Sequence, residues 1–114
     1  MSKRVYTCIS SDVVHEGILN VIEEASKLGD VTVGILTDEV IASYKRLPFL
    51  NTESRRAVYE NIKGVKNAVE QTTLSYRENL LALKPDYVVH GDDWRSGFQS
   101  SIRQEVIDTL AEWG

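Results

Sequence analysis

The run Val31-Thr32-Val33-Gly34-Ile35-Leu36 is apolar nearly throughout. A strand with one wet face alternates apolar and polar residues, so a run without that alternation is a strand buried on both faces. Such a strand needs a layer of structure above and below it. The segment Val5-Tyr6-Thr7-Cys8-Ile9, read with Arg4 as a strand over residues 4–9, is also short, apolar and β-rich. Between the two, Ile18, Leu19, Ile22 and Ala25 recur at helical spacing and Leu28 closes the last turn, with Gly29 as the expected C-cap.

The pattern continues along the chain. Thr37 or Asp38 can cap a short helix through Ala42, and Pro48 stops any helix in residues 43–51. Asn51 or Thr52 caps a helix reaching about Ile62, and residues 65–69 read as a weaker strand. A helix over residues 74–83 is ended by Pro85, Tyr87-Val88-Val89 is a buried strand, and residues 99–113 form a last helix. Ile102, Val106, Ile107 and Leu110 are expected on one side of it. Strands alternating with helices predict an α/β fold, a doubly wound parallel sheet in three αβα layers, as one domain over residues 1–114. In such sheets ligands bind beyond the carboxyl ends of the strands. Polar clusters fall at that edge: residues 10–17, Thr37-Asp38, and residues 90–94.

Charge and cysteine content limit the function classes. The 13 Lys and Arg residues are scattered among 17 Asp and Glu, giving a net charge of −4. That balance implies no extended positive surface and argues against duplex nucleic acid as a partner. The single cysteine, Cys8, lies in an apolar run and reads as a buried structural thiol. Lys3-Arg4 open the chain like a signal peptide, but the apolar run behind them is short and breaks at Ser10-Ser11-Asp12. Neither a signal peptide nor a membrane span is read, and the cytoplasm is the expected compartment.

The chemistry-bearing residues fall in separate stretches. In Asp12-Val13-Val14-His15-Glu16-Gly17-Ile18, a strand-to-helix corner carries a histidine that can donate to a phosphate and a glycine that lets the phosphate approach the backbone. Ser11 or Asp12 capping the helix, with His15 solvated, explains the same residues. Gly91-Asp92-Asp93-Trp94 offers a tight turn, carboxylates for a ribose or a metal, and an indole that can stack. A polar loop with Trp94 folded onto the core is its plain structural reading. Lys45, in a loop, can serve as a mobile point charge for phosphate. Arg55-Arg56 oppose the dipole at the start of their helix, which can signal a partner anion or a subunit contact. His90 reads as a satisfied histidine at a strand end, and these separations of His and Cys make no zinc site.

Taken together, these residues resemble the small cytidylyltransferase family of nucleotidylyltransferases, along nearly the whole chain. Asp12, His15 and Gly17 match the family's D-x-x-H-x-G-H motif, with Ile18 standing where its second histidine would be. Residues 28–39 follow its "LGD…VG…TDE" pattern, Lys45 falls at its phosphate-binding lysine, Arg55-Arg56 at its E-x-R-[RK] helix, and Gly91-Asp92-Asp93-Trp94 at a motif near the nucleotide. The wording of residues 43–50 and 84–94 resembles a narrower group, the cytidylyltransferase domains found with phosphoenolpyruvate phosphomutase in phosphonate biosynthesis.

The resemblance implies a Rossmann-like fold and transfer of CMP from CTP to a small phosphonate or phosphoalcohol, with pyrophosphate released and Mg²⁺ required. It implies His15 and Lys45 as catalytic groups, and Ser10, Ser11, Asp12, Gly17, Gly91, Asp92, Asp93 and Trp94 around the nucleotide. It also implies a homodimer, with Arg55 at a subunit or phosphate contact. The family's I-S-[ST]-T segment is not found before Gly114, so this domain is expected to lack it. Ile18 and the expected lack of that segment favour the alternative of a nucleotide-binding or interaction domain of impaired catalysis. An ATP-dependent nucleotidylyltransferase is a third reading, disfavoured by residues 91–94.

Overall fold

The computed structural model describes residues 3–9, 16–43, 50–89 and 99–113, and among residues 99–103 the backbone alone. The elements run β1 (Arg4–Ile9), α1 (Glu16–Leu28), β2 (Asp30–Leu36), α2 (Asp38–Ala42), α3 (Thr52–Glu60), β3 (Val65–Gln71), α4 (Arg77–Leu83), β4 (Tyr87–Val88) and α5 (Gln99–Leu110). The strands form one sheet in the order β3-β2-β1-β4, and every pairing is parallel. The predicted strands at residues 4–9 and 31–36 match, and β3 runs two residues past its expected end, to Gln71.

Alternation along the strands divides the core into two layers. Val5, Val31, Val33 and Ile35 point to the face covered by α1 and α3, where Ile22, Ala25 and Tyr59 meet them. Tyr6, Cys8 and Leu36 point to the opposite face, covered by Ile41 of α2, Tyr76, Leu80 of α4 and Val106 of α5. This is the expected three-layer αβα arrangement. Both faces of β1 and β2 are dry, which is why those sequences carry no polar stripe.

Tyr6 shows how tightly the second face is specified. Its ring lies across β2 over Gly34, where any Cβ would collide with the phenol. The glycine therefore gives the ring its passage to β3. There the Tyr6 hydroxyl donates to Gln71 Oε1 at 2.6 Å and accepts from Asn79 Nδ2 at 3.0 Å. Asn79 Nδ2 also donates to the Glu70 carbonyl, and Gln71 Nε2 to that of Thr73. The phenol is fully buried yet satisfied, as a buried hydroxyl must be. Tyr76 packs edge-on against it with ring centroids 5.8 Å apart. Burial raises the Tyr6 phenol well above its ordinary value, the nearby Cys8 adds to this, and the bond from Asn79 opposes it. Burial likewise pushes the Cys8 thiol up to about 12, against a hydrogen bond with Tyr76 and the charge of Arg55. Cys8 is the inert structural thiol expected.

Several local expectations are corrected. Gly29 does not take a left-handed conformation. It is needed because a Cβ there would strike the Lys3 carbonyl, which accepts from Asp30 N at 2.8 Å. The fourth helix begins at Arg77, not Leu74, because residues 73–75 form a turn in which Thr73 Oγ1 donates to the Ser75 carbonyl. Lys84, at φ 47°, ends that helix ahead of Pro85. Leu19 and Leu28 of α1 are exposed, so its buried stripe is narrower than its apolar content. The last helix, α5, ends at Leu110, short of the expected residue 113. Its inward face is Val106, Thr109 and Leu110, continued by Trp113 just past it, while Ile107 is 44% exposed and the Ile102 side chain lies outside the described residues. The docking of α4 on α5 sets that rotation. Ser75 Oγ donates to Glu105, Arg77 pairs with Glu112, and Trp113 Nε1 donates to the Pro85 carbonyl at 3.2 Å.

The Tyr6 passage predicts the cost of filling it. Gly34→Ala should destabilise the protein by about 2 kcal/mol or more, at the upper part of the overpacking range. Urea unfolding checks this, and an unchanged midpoint would show that the ring does not depend on the gap.

Candidate active site

Parallel strands all end at the same edge of the sheet, here at Ile9, Leu36, Gln71 and Val88. The strand order places β2 and then β3 to one side of β1, and returns to place β4 on the other. Crossovers leaving β1 and β4 therefore diverge, and the gap between them is the topological switch point where such sheets bind ligands. The pairing is close: Tyr6 stands opposite Val88, and Val89 N donates to the Tyr6 carbonyl at 3.0 Å.

The stretches that lead away from this gap are those singled out by sequence. Residues 10–15 join Ile9 to Glu16, and residues 90–98 join Val89 to Gln99. Ser10, Ser11, Asp12, His15, His90, Gly91, Asp92, Asp93 and Trp94 themselves lie outside the described residues, as does Lys45. Gly17 is described, exposed in the first turn of α1, at the end of a helix where backbone N–H groups favour an anion. Ile18, next to it, is half-buried against the core beneath, as are Ile9 at the end of β1 and Val89 just past β4. Ile18 thus serves as packing in the place of the motif's second histidine.

Thr37 and Asp38, at the end of β2, do something the sequence did not reveal. Their surroundings are organised by Arg55, whose side chain is 0% exposed. Its Nη1 donates to the Leu36 carbonyl at 2.7 Å, its Nε to the Leu50 carbonyl at 3.1 Å, and its Nη2 to Asp38 Oδ1 at 2.8 Å. Thr52 Oγ1 stands 3.4 Å from the same Nη2. The starts of α2 and α3 also cap each other. Asp38 N donates to Thr52 Oγ1 at 2.9 Å, and Thr52 N to Asp38 Oδ2 at 3.3 Å. Asn51 completes the α3 cap by accepting from Ser54 N, as expected of it.

Arg55 therefore has partners other than the subunit or phosphate contact expected. A buried guanidinium must be paired and hydrogen-bonded, and here the anion is the Asp38 carboxylate of the same chain. Its unfavourable place in the first turn of a helix was the one legible sign, since that position calls for a nearby negative charge. Sequence marks Thr52 only as a possible helix cap and Leu36 only as part of a strand, and neither they nor Leu50 point to Arg55, because Leu36 and Leu50 act through backbone carbonyls. Arg56 is half exposed and pairs with Glu60 on the helix surface. Among the described residues no group of three or more His, Cys, Asp or Glu side chains could hold a metal ion. Nor is any described helix long and apolar enough to cross a membrane.

The family model for cytidylyltransferase-like proteins matches residues 10–112, which takes in both stretches flanking the switch point. The chain belongs to the cytidylyltransferase-like family. An FAD synthase from Ferroglobus placidus is 33% identical over 91 residues, covering 80% of this chain and 60% of that protein. A glycerol-3-phosphate cytidylyltransferase from Bacillus subtilis is 30% identical over 98 residues, covering 84% of this chain and 76% of that protein. Among solved structures, a lipopolysaccharide core biosynthesis protein from Thermoplasma volcanium superposes with a TM-score of 0.82 over 97% of this chain and 90% of its own, at 23% identity. At that identity it speaks for the fold alone, and it agrees with the Rossmann-like sheet described above.

The burial of Arg55 sets a measurable asymmetry between adjacent arginines of this cytidylyltransferase-like domain. Arg55→Met strands the Asp38 carboxylate and backbone carbonyls, and should cost about 3 kcal/mol or more. Arg56→Met breaks only a surface pair and should cost no more than about 0.5 kcal/mol. Urea denaturation of both variants checks the difference, and equal losses would contradict it.

Proposed function

We propose that this domain transfers CMP from CTP to a small phosphorylated or phosphonylated acceptor, with release of pyrophosphate. One observation carries the reading. In a chain of the cytidylyltransferase-like family, the stretches 10–15 and 90–98 leave from adjacent strands at the switch point, and they bear the histidine motif and the Gly91 to Trp94 motif. In the proposed reaction an oxygen of the acceptor's phosphoryl group attacks the α-phosphorus in line. The bond from that phosphorus to the α–β bridging oxygen breaks, and pyrophosphate departs with the electron pair. No covalent enzyme intermediate is needed, so the protein's task is positioning and neutralising charge.

His15 and Lys45 are assigned to the negative charge that grows on the α-phosphate and the leaving group. Backbone N–H groups at the start of α1, near Gly17, hold phosphate oxygens, with Ser10, Ser11 and Asp12 lining the approach. Asp92, Asp93 and Trp94 fix the ribose and base. A Mg²⁺ ion in this reading would accompany the nucleotide's phosphates and offset their charge. The acceptor in this proposal is a phosphoalcohol or a phosphonate, the latter from the wording of residues 43–50 and 84–94. A homodimer is part of the same proposal.

Some of the relatives favour a second reading. An FAD synthase makes a product that contains adenine, so its likeness to this chain supports adenylyl transfer from ATP to a flavin phosphate. Ile18 bears on rate in either case. Without the second histidine, one preorganised donor is missing, a loss typically worth about 10²–10³ in rate.

Pyrophosphate release measured with CTP or ATP, Mg²⁺, and a panel of phosphonates, glycerol 3-phosphate and FMN decides among these readings. Turnover with CTP is expected, and His15→Ala should lower it by about 10²–10³ without moving the melting temperature. Turnover with ATP and FMN alone would replace the CTP assignment. Absence of turnover in both the natural chain and Ile18→His, with CTP still raising the melting temperature, would leave a binding domain.

A further inference from the structure

β4 is the most weakly held strand of the sheet. It pairs with β1 through Tyr87 and Val88 alone, and among the described residues no strand lies along its other edge. Asp86 N donates to the Arg4 carbonyl at 2.8 Å and Val89 N to the Tyr6 carbonyl at 3.0 Å, one bond at each end of the pairing. By contrast, β1 and β2 are matched from Arg4 and Asp30 to Ile9 and Ile35. Tyr87 is 41% exposed, so little apolar burial reinforces the few bonds of β4.

The turn that feeds this strand is strained. Lys84 takes φ 47° and ψ 59°, a left-handed conformation that a side chain makes costly. Proline disposes the residue ahead of it to extended backbone, and Pro85 follows directly, so Lys84 is misplaced on two counts. Such a conformation persists only where its surroundings hold it. Here the holding groups come from β1 and from the residues just past α5. Arg4 Nη1 donates to the Leu83 carbonyl at 2.9 Å, and Arg4 N to Asp86 Oδ2 at 2.9 Å. Trp113 Nε1 donates to the Pro85 carbonyl at 3.2 Å, and its ring joins Leu83 and Val88 against the second core face.

We propose that β4 is a gate strand for the gap at the switch point. It parts from β1 as a local unit, without global unfolding, and Arg4 and Trp113 form the clasp that keeps it closed. Parting lets Lys84 relax, which offsets some of the bonds lost, so the strain favours opening. What the gate admits rests on the nucleotidyl-transfer reading, because the gap is the one assigned to nucleotide.

Amide hydrogen exchange of the whole chain in water and in low urea tests the gate. Asp86 and Val89 should exchange at least about 10-fold faster than Val33 and Ile35 of β2, through an opening that hardly responds to urea. Trp113→Phe keeps a ring but removes the donor, and should speed exchange at Asp86 and Val89 by about 2- to 10-fold, the worth of one hydrogen bond. Lys84→Gly removes the strain and should slow it by about threefold or more. CTP, or ATP where the chain binds that instead, should slow both amides in proportion to its occupancy, because the parted strand no longer closes the site. Exchange at Asp86 and Val89 that follows urea as Val33 does, or that Lys84→Gly leaves unchanged, would overturn the proposal. If a nucleotide raises the melting temperature yet leaves both amides unaltered, β4 does not gate it, and the nucleotide reading stands alone. If neither nucleotide raises the melting temperature, the functional reading fails and the gate falls with it.

Discussion

Parallel pairing of β1 on both of its edges is the constraint on which the rest of the molecule depends. A strand whose neighbours both run with it cannot be reached by hairpins, so every connection must climb over a face of the sheet. Helices then cover both faces, both faces must be apolar, and all carboxyl ends lie along one edge. Because the chain builds β2 and β3 on one side of β1 before placing β4 on the other, the crossovers separate there. The candidate site follows from this topology. Residues 10–15 and 90–98, far apart in sequence, depart from neighbouring strands because β1 is central.

A second constraint operates one strand away. An arginine taken fully out of water has to find acceptors, and Arg55 finds them on β2, α2 and the approach to α3. Their mutual capping removes the cost of orphan N–H groups at two helix starts that face one another. The same bonds join the end of β2 to the starts of α2 and α3. The Tyr6, Gln71 and Asn79 network plays the matching part on the other face, tying β1 to β3 across Gly34.

Much of this was legible in the sequence because it rests on periodicity. The strands at β1 and β2, the cap at Asn51, the buried Cys8 and the layered fold all follow from local pattern. What escaped depends on partners distant along the chain. Arg55 reads only as a charge set against its helix dipole until Asp38 and two backbone carbonyls are brought to it. Gln71 stands two residues past the expected strand end, with no sign of a role until Tyr6 arrives from 65 residues away. The inward face of α5 includes Thr109 and leaves out Ile107, because the position of α4, not hydrophobicity alone, sets its rotation. Ile18 was legible in both of its aspects, as a gap in a histidine motif and as a position at helical spacing with Ile22. The structure supports the second aspect, with Ile18 packed toward the core.

The central claim is that the gap between β1 and β4 is where this cytidylyltransferase-like domain receives its nucleotide. Amide ¹H–¹⁵N spectra recorded while CTP, and separately ATP, is added test it most directly. The account predicts that the largest shifts cluster at Ile9, Gly17, Ile18 and Val89 and in the stretches joined to them, with Lys66 and Asn67 on the far edge strand unmoved. Shifts centred on β3 and the exposed side of α3, or none with either nucleotide, would contradict it.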